Sequence, residues 1–243
     1  MTEPTKNEIE LFDATTALAR RLAAQSAKVA GVFTDTKMMS NMLYHRLWGH
    51  HRAYRLLWDK RLYIEADMVL RAALEATISI AANHKMGHDF IELINQDVAA
   101  TVKGQIKVAR ERGGIEAIKS GEAILRRHKA RSGTQKEPKK LNFEDLAQMT
   151  ELSPLYVLHR QLSGLSSHVT GLSLIRGLQS PSLQETQDRM NAAQRQGHFT
   201  MMANASLKAI QLHAEMVGEQ DISHEAVELV YRSISIALGL PIA

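Results

Sequence analysis

LYIEADMVLRAALEATISIAAN, the stretch from Leu62 to Asn83, decides how the rest of the chain is read. Ile64, Met68, Arg71, Glu75, Ile78 and Ala82 recur in it at steps of three and four, so they share one helical stripe. The stretch is therefore a helix with an arginine and a glutamate set one turn apart among apolar neighbours. Burying both is expensive unless they meet each other or a further partner. Arginine ahead of glutamate is the less favourable order for an exposed helical pair. The guanidinium also offers five donors, more than one carboxylate can take. A second helix must supply the remaining partners, which points to an all-α fold with a polar cluster inside it.

The best candidate for that second helix starts at Ser153-Pro154, read as a capping serine followed by a first-turn proline. Leu155, Leu158, Leu162, Leu165, Val169 and Leu172 form its apolar stripe, and Tyr156, Arg160, Ser163, Ser167 and Thr170 run down another face. His168 sits beside the apolar stripe with Gln161, Gly164 and Gly171. Glycines on one face allow another backbone to come close. The expectation is that this face meets the Leu62–Asn83 helix, with a His168 ring nitrogen on Glu75 and Arg71 reaching Tyr156 or a serine hydroxyl. Arg71, Glu75, Tyr156, Arg160, Ser163 and His168 are thus the candidate catalytic residues, and a register-fixing polar core is the competing reading. A homo-oligomer would form through the Gly164, His168 and Gly171 face.

Working outward, the same periodicity gives helices over Asn7–Ala30, about Lys37–Trp58, Phe90–Arg112 and Ile115–Arg131. The sequence leaves open whether the second of these runs on into Leu62–Asn83. Ser132–Lys140 (SGTQKEPKK) is the one clear linker. A short helix opens at Asn142, and the Pro154 helix extends to about Leu178. A further helix restarts at Ser180-Pro181-Ser182 and runs to Val217, with Gly197 as a point of interruption, and Ser223 caps a last helix ending at Gly239. The economical reading is one bundle of about seven to nine helices, with residues 1–243 as a single helical domain and a basic flexible loop at 132–140.

Charge is unevenly spread. From Lys103 to Lys140 there are twelve Lys and Arg against four Glu, a local excess of eight in a chain of net charge +4. The remainder is therefore at −4. Such a stretch is the electrostatic footprint of a polyanion binder, and a solvated helix with a basic loop is the plainer alternative. On the first reading Arg126, Arg127, Lys129, Arg131, Lys139 and Lys140 would contact nucleic acid. The chain has no cysteine, which excludes disulfides, thiolate ligands and cysteine nucleophiles. No apolar leader opens it, and its most apolar run, Met68–Ala82, is too short to span a bilayer. A cytoplasmic location fits, with no membrane partner.

Tyr44, Trp48, His51, Arg55 and Trp58 form an aromatic and basic helical stripe. Such a stripe can stack on bases, but tryptophans at this spacing more often anchor a core while arginines snorkel around them. His84 and His88 are four apart, yet Gly87 lies between them and no acidic third ligand is placed by motif, so no metal is expected. Gly113-Gly114 lacks the Lys-Ser or Lys-Thr of a phosphate loop, and no cofactor is expected.

Arg71-x-x-x-Glu75 followed far downstream by Tyr156, Leu162-Ser163 and His168 resembles an all-helical bacterial family known as a domain of unknown function. That family pairs an R-x-x-L-E helix with a Y…LS…H helix. The resemblance covers roughly Tyr44 to Leu178, and implies a helical fold and the importance of these residues, without a reaction. A more distant similarity is to the HEPN ribonucleases, helical and usually dimeric enzymes that cleave RNA with an arginine and a histidine four to six residues apart. Here seven residues separate Arg160 from His168, which places them about 80° apart around a helix. On that comparison His168 would be the general acid or base and Arg160 the phosphate stabiliser.

Overall fold

The computed structural model describes residues 3–32, 35–132, 138–167 and 184–240. Among them the elements are all helical: α1 (Lys6–Ser26), α2 (Thr36–Asp59), α3 (Tyr63–Met86), α4 (His88–Glu111), α5 (Ile115–Ser132), α6 (Phe143–Met149), α7 (Ser153–Leu162), α8 (Gln184–Val217) and α9 (Gln220–Leu238). A π-helical turn over Ser163–Ser167 continues α7. None of the helices, searched over the described residues, is long and apolar enough to cross a membrane.

Local chemistry sets the ends. Thr5 and Glu8 form a reciprocal capping box at the start of α1. Asp35 caps α2 and Asn142 caps α6 through their side chains. Ser153 does not cap α7: Leu152 occupies the cap position without a side-chain hydrogen bond, and Ser153 is already helical. Ser223 likewise lies inside α9, its hydroxyl directed to Glu215 at 3.2 Å. Gly197 does not interrupt α8. The helix opened by Pro154 is α-helical to Leu162 and π-helical from Ser163 to Ser167, and residues 168–183, over which it was expected to run on to Leu178, lie outside the described residues.

α2 and α3 are two helices, broken where Arg61 takes a left-handed backbone (φ 59°). Gly87 (φ 60°) is the whole joint between α3 and α4, a conformation that costs glycine nothing and side-chain-bearing residues strain.

α3 runs through the middle, against α2 and α8 on one side and α6 and α7 on another. α1 and α9 close over α8. Phe12, Leu22, Tyr44, Leu70, Leu74 and Phe199 are among the buried side chains uniting α1, α2, α3 and α8. A second apolar cluster gathers Ile78 and Ala82 from α3, Phe90 from α4 and Leu146 from α6. The aromatic and basic stripe of α2 belongs to the core: Tyr44 and His51 are buried, and Trp48 and Trp58 pack against the first cluster. α5 folds back on α4, where a Cβ on Gly121 would come within 2.7 Å of the Ile106 side chain and force it to move.

Two histidines tie α1, α2 and α8 together. His213 Nδ1 meets Ser40 Oγ and its Nε2 meets Ser26 Oγ, each at 2.8 Å. His51 Nε2 meets Thr16 Oγ1 at 2.8 Å and its Nδ1 meets Ser206 Oγ at 2.9 Å. Ser26 and Thr16 give their single hydroxyl protons to Leu22 O and Phe12 O. Each must therefore accept from its histidine, so both rings carry the proton on Nε2 and accept at Nδ1. Burial, reinforced by Arg55 beside His51 and His45 beside His213, lowers both rings to about 3, so they are neutral.

Candidate functional site

α7 lies on α3 through one polar cluster. Glu75 Oε1 accepts a hydrogen bond from His159 Nε2 of α7 at 2.9 Å and forms an ion pair with Arg71 Nη2 of its own helix at 2.9 Å. Arg71 Nε donates to Ser163 Oγ at 2.7 Å, and Ser163 donates to His159 O at 2.8 Å. The π-helical turn begins at Ser163, where the hydroxyl is engaged at both ends. A carboxylate only accepts, so the His159 proton toward Glu75 sits on Nε2. His159 Nδ1 is buried without a hydrogen-bond partner among the described residues, and the residue is 6% exposed. The Tyr156 ring stacks on it at 5.8 Å and 22°, while the Tyr156 hydroxyl donates to Glu144 at 3.3 Å.

α2 adds two further groups. Arg46 Nε lies 3.5 Å from His50 Nε2. The Arg46 charge is felt at Glu75, and the Glu75 charge at His50. Burial by itself would raise the Glu75 carboxyl, but the His159 hydrogen bond, then Arg71, the His159 charge and Arg46 hold it below its usual range. His50 is lowered by burial and by Arg46, against the pull of Glu75.

Of the expected site residues, the structure brings together Arg71, Glu75 and Ser163, with Tyr156 one ring away. Arg71 does reach a serine hydroxyl, that of Ser163. It does not reach Tyr156, whose hydroxyl is on Glu144. Arg160 is exposed on α7 and has no part in the cluster. His168 and Gly171 lie outside the described residues, and the histidine on Glu75 is His159. A Cβ on Gly164 would meet nothing within 4 Å, so the close packing expected at this glycine is absent from the described residues. His159, Arg46 and His50 were not singled out from the sequence. The signal for His159 was its spacing of three from Tyr156 and four from Ser163, which puts all three on one face.

Removing the shared acceptor should show what holds α7. Glu75→Ala is expected to cost about 2–3 kcal/mol, because it strands Arg71 and takes the partner from His159 in a site that is only partly screened by water. Glu75→Gln, which keeps one acceptor oxygen, should lose about half as much. Urea unfolding of the three proteins measures both, and equal midpoints would refute the anchoring role.

The basic residues lie on the α4–α5 hairpin and after it. Arg126, Arg127 and Lys129 are exposed on α5, Arg131 stands in its last turn, and Lys139 and Lys140 are exposed ahead of α6. Arg110 pairs with Glu122 at 3.1 Å and Lys119 with Glu116 at 3.0 Å. Arg126, Arg127, Lys129, Lys139 and Lys140 make no ion pair among the described residues. No group of three or more His, Asp or Glu that could hold a metal converges among those residues. His84 faces Glu215 at 3.0 Å.

No curated protein and no solved structure matches this sequence. A family match spans residues 39–186, which takes in α2 from its fourth residue and all of α3 to α7, and with them both halves of the polar cluster and the basic hairpin. The helical architecture and the Arg71-to-Ser163 pairing agree with the motif resemblance, and the chain belongs to a family of unknown function, DUF5677.

Proposed function

We propose that the protein associates with nucleic acid through the α4–α5 hairpin and the segment that follows it, with the Arg71–Glu75–His159–Ser163 cluster anchoring α7 to α3. The observation that carries this is the set of five exposed cations, Arg126, Arg127, Lys129, Lys139 and Lys140, without carboxylate partners among the described residues. A merely solvated helix gains from pairing its charges, as Arg110 and Glu122 do, whereas unpaired cations side by side repel unless a polyanion joins them. A cytoplasmic location, as read from composition, gives such a surface access to RNA or DNA.

The test is fluorescence anisotropy with a labelled duplex and a labelled single strand. If the five cations meet phosphates, duplex affinity should fall on the order of 10²–10³-fold between 50 and 200 mM salt. Replacing Arg126, Arg127 and Lys129 by Gln should reduce the log–log salt slope by roughly three. Binding that is indifferent to salt, or to these substitutions, would refute the reading.

Phosphodiester cleavage at the polar cluster, as in a HEPN-like ribonuclease, is the second reading. Two observations favour it: the unpartnered His159 Nδ1, and Arg71 Nη1, which has no bond among the described residues. His159 or His168 would then move protons and Arg71 or Arg160 would hold the phosphate. His159→Ala and His168→Ala, each assayed on a mixed RNA pool beside a thermal melt, test it. Loss of cleavage with an unchanged melt supports it, and no cleavage by the wild type refutes it. A dimer through the face expected to carry Gly164, His168 and Gly171 is tested by sedimentation of the same preparation.

A further inference from the structure

A cleft opens at the α2–α3 joint, at the end of α3 away from α4. It holds about 160 Å³ and is walled by Trp58 from α2, Arg61 at the break, Tyr63 from α3, Arg195 from α8 and Glu3 from the segment before α1. Four features of it are independent of the polar cluster and of the hairpin.

First, it offers a flat surface. Trp58 and Tyr63 meet edge to face at 5.0 Å and 70°, and the Arg195 guanidinium lies over the Tyr63 ring at 4.6 Å. A guanidinium laid on a phenol ring is itself a planar plate whose outer side can stack on a π-system. Second, Arg61 is exposed and makes no ion pair among the described residues. Third, Arg61 holds a left-handed backbone, φ 59°, which costs a non-glycine residue free energy and recurs where a ligand is clamped. A glycine or asparagine would make this turn more easily, so the arginine is there at the expense of the turn. Fourth, Glu3 contributes a carboxylate to the described walls, an acceptor in the same cleft as Arg61.

A plate for stacking, a cation for a phosphate and an acceptor for an exocyclic amine form the donor and acceptor pattern of a nucleotide. We propose that this cleft binds a phosphorylated nucleobase unit, with the base stacked on the Arg195–Tyr63 plate and the phosphate on Arg61. Its volume suits one base. α3 has 24 residues, so the cleft stands about 36 Å from the α3–α4 joint where the hairpin is rooted. The site therefore does not depend on the hairpin reading, and either can fail alone. The ligand has two sources with the same chemistry, a free nucleoside monophosphate or the phosphorylated end of a single strand.

The experiment is a titration of the full chain with AMP, followed by calorimetry and by tryptophan emission. Only Trp48 and Trp58 emit, and Trp58 lines the cleft. AMP should bind and quench, and adenosine, which lacks the phosphate, should bind at least about tenfold more weakly. Arg61→Asn keeps a residue that tolerates the left-handed turn and removes the charge, so it should cost about tenfold in AMP affinity with an unchanged melt. Arg61→Lys should restore most of it, and the Arg126, Arg127 and Lys129 substitutions should leave it unaltered. A 5′-phosphorylated single-stranded hexamer that binds about tenfold tighter than AMP assigns the cleft to a strand end. Equal or weaker binding assigns it to the free nucleotide. No AMP binding at millimolar concentration, equal affinity for adenosine and AMP, or an Arg61→Asn titration identical to wild type would each overturn the proposal.

Discussion

Lowering the pH from 7 to 4 is expected to remove about 6 kcal/mol of stability and to unfold the protein, or bring it close to unfolding, at room temperature. The cause is His51 and His213, both lowered to about 3 by burial. In the unfolded chain a histidine titrates near 6.5. Between these values the unfolded state binds the proton and the folded state does not. Stability is therefore complete above about 6.5 and declines as the pH falls toward 3, by about 1.4 kcal/mol per pH unit for each ring. Glu75 and Glu8 act later. Burial would raise the Glu8 carboxyl, but hydrogen bonds from the Thr5 N–H, Gln196, the Thr5 hydroxyl and Thr200 hold it low. Both carboxylates thus withdraw their support only below the usual carboxylate range. Urea midpoints measured from pH 7.5 to 4.5 read the slope, and a flat profile would contradict neutral, buried rings at both positions.

His213→Ala should be among the most damaging single substitutions, at about 3–5 kcal/mol. It deletes a ring stacked on Tyr44 at 4.6 Å and leaves the Ser40 hydroxyl without its acceptor inside the core. The Ser26 hydroxyl keeps Leu22 O, so its loss is smaller. His213→Phe separates the two contributions: it fills the volume, keeps a ring against Tyr44 and strands Ser40, for a cost of about 1–3 kcal/mol. It should also halve the acid slope, because one of the two titrating rings is gone. Equilibrium unfolding in urea measures all three. A loss under about 1 kcal/mol for the alanine variant would mean that the ring is not where the core closes.

The helices were legible because apolar residues keep a 3.6-residue period in nearly every segment, and α2, α3, α4 and α5 start and stop within three residues of the sequence reading. Capping was less legible. Ser153 and Ser223 look like caps by residue type, but a cap needs a free N–H at the right place, and both residues are already inside a helix. The polar cluster was half legible. Arg71 and Glu75 announce a buried pair, and a serine hydroxyl follows from the spare donors of arginine. His168 lies outside the described residues, and His159 is not legible because spacing alone does not rotate α7. From Tyr156, steps of three then four reach Ser163 through His159, and steps of four then three reach it through Arg160. Burial decides between them: an imidazole leaves water at lower cost than the bulkier, permanently charged guanidinium, so His159 turns inward to Glu75 and Arg160 stays outside. Arg46 and His50 were illegible because their role depends on the pairing of α2 with α3, which no single helix encodes.

The two histidine ties have a consequence for how the chain is made. Ser26 and His213 are 187 residues apart, and His51 and Ser206 are 155 apart. On a ribosome, α1 and α2 emerge first and bring Thr16, Ser26, Ser40 and His51 together, but the ring and hydroxyl that complete both ties arrive only with α8. Until then the nascent N-terminal helices carry a core polar set half supplied and open to water or to a chaperone. A chain truncated before residue 206 should stay protease-sensitive throughout α1 and α2, even though every residue of those helices is present.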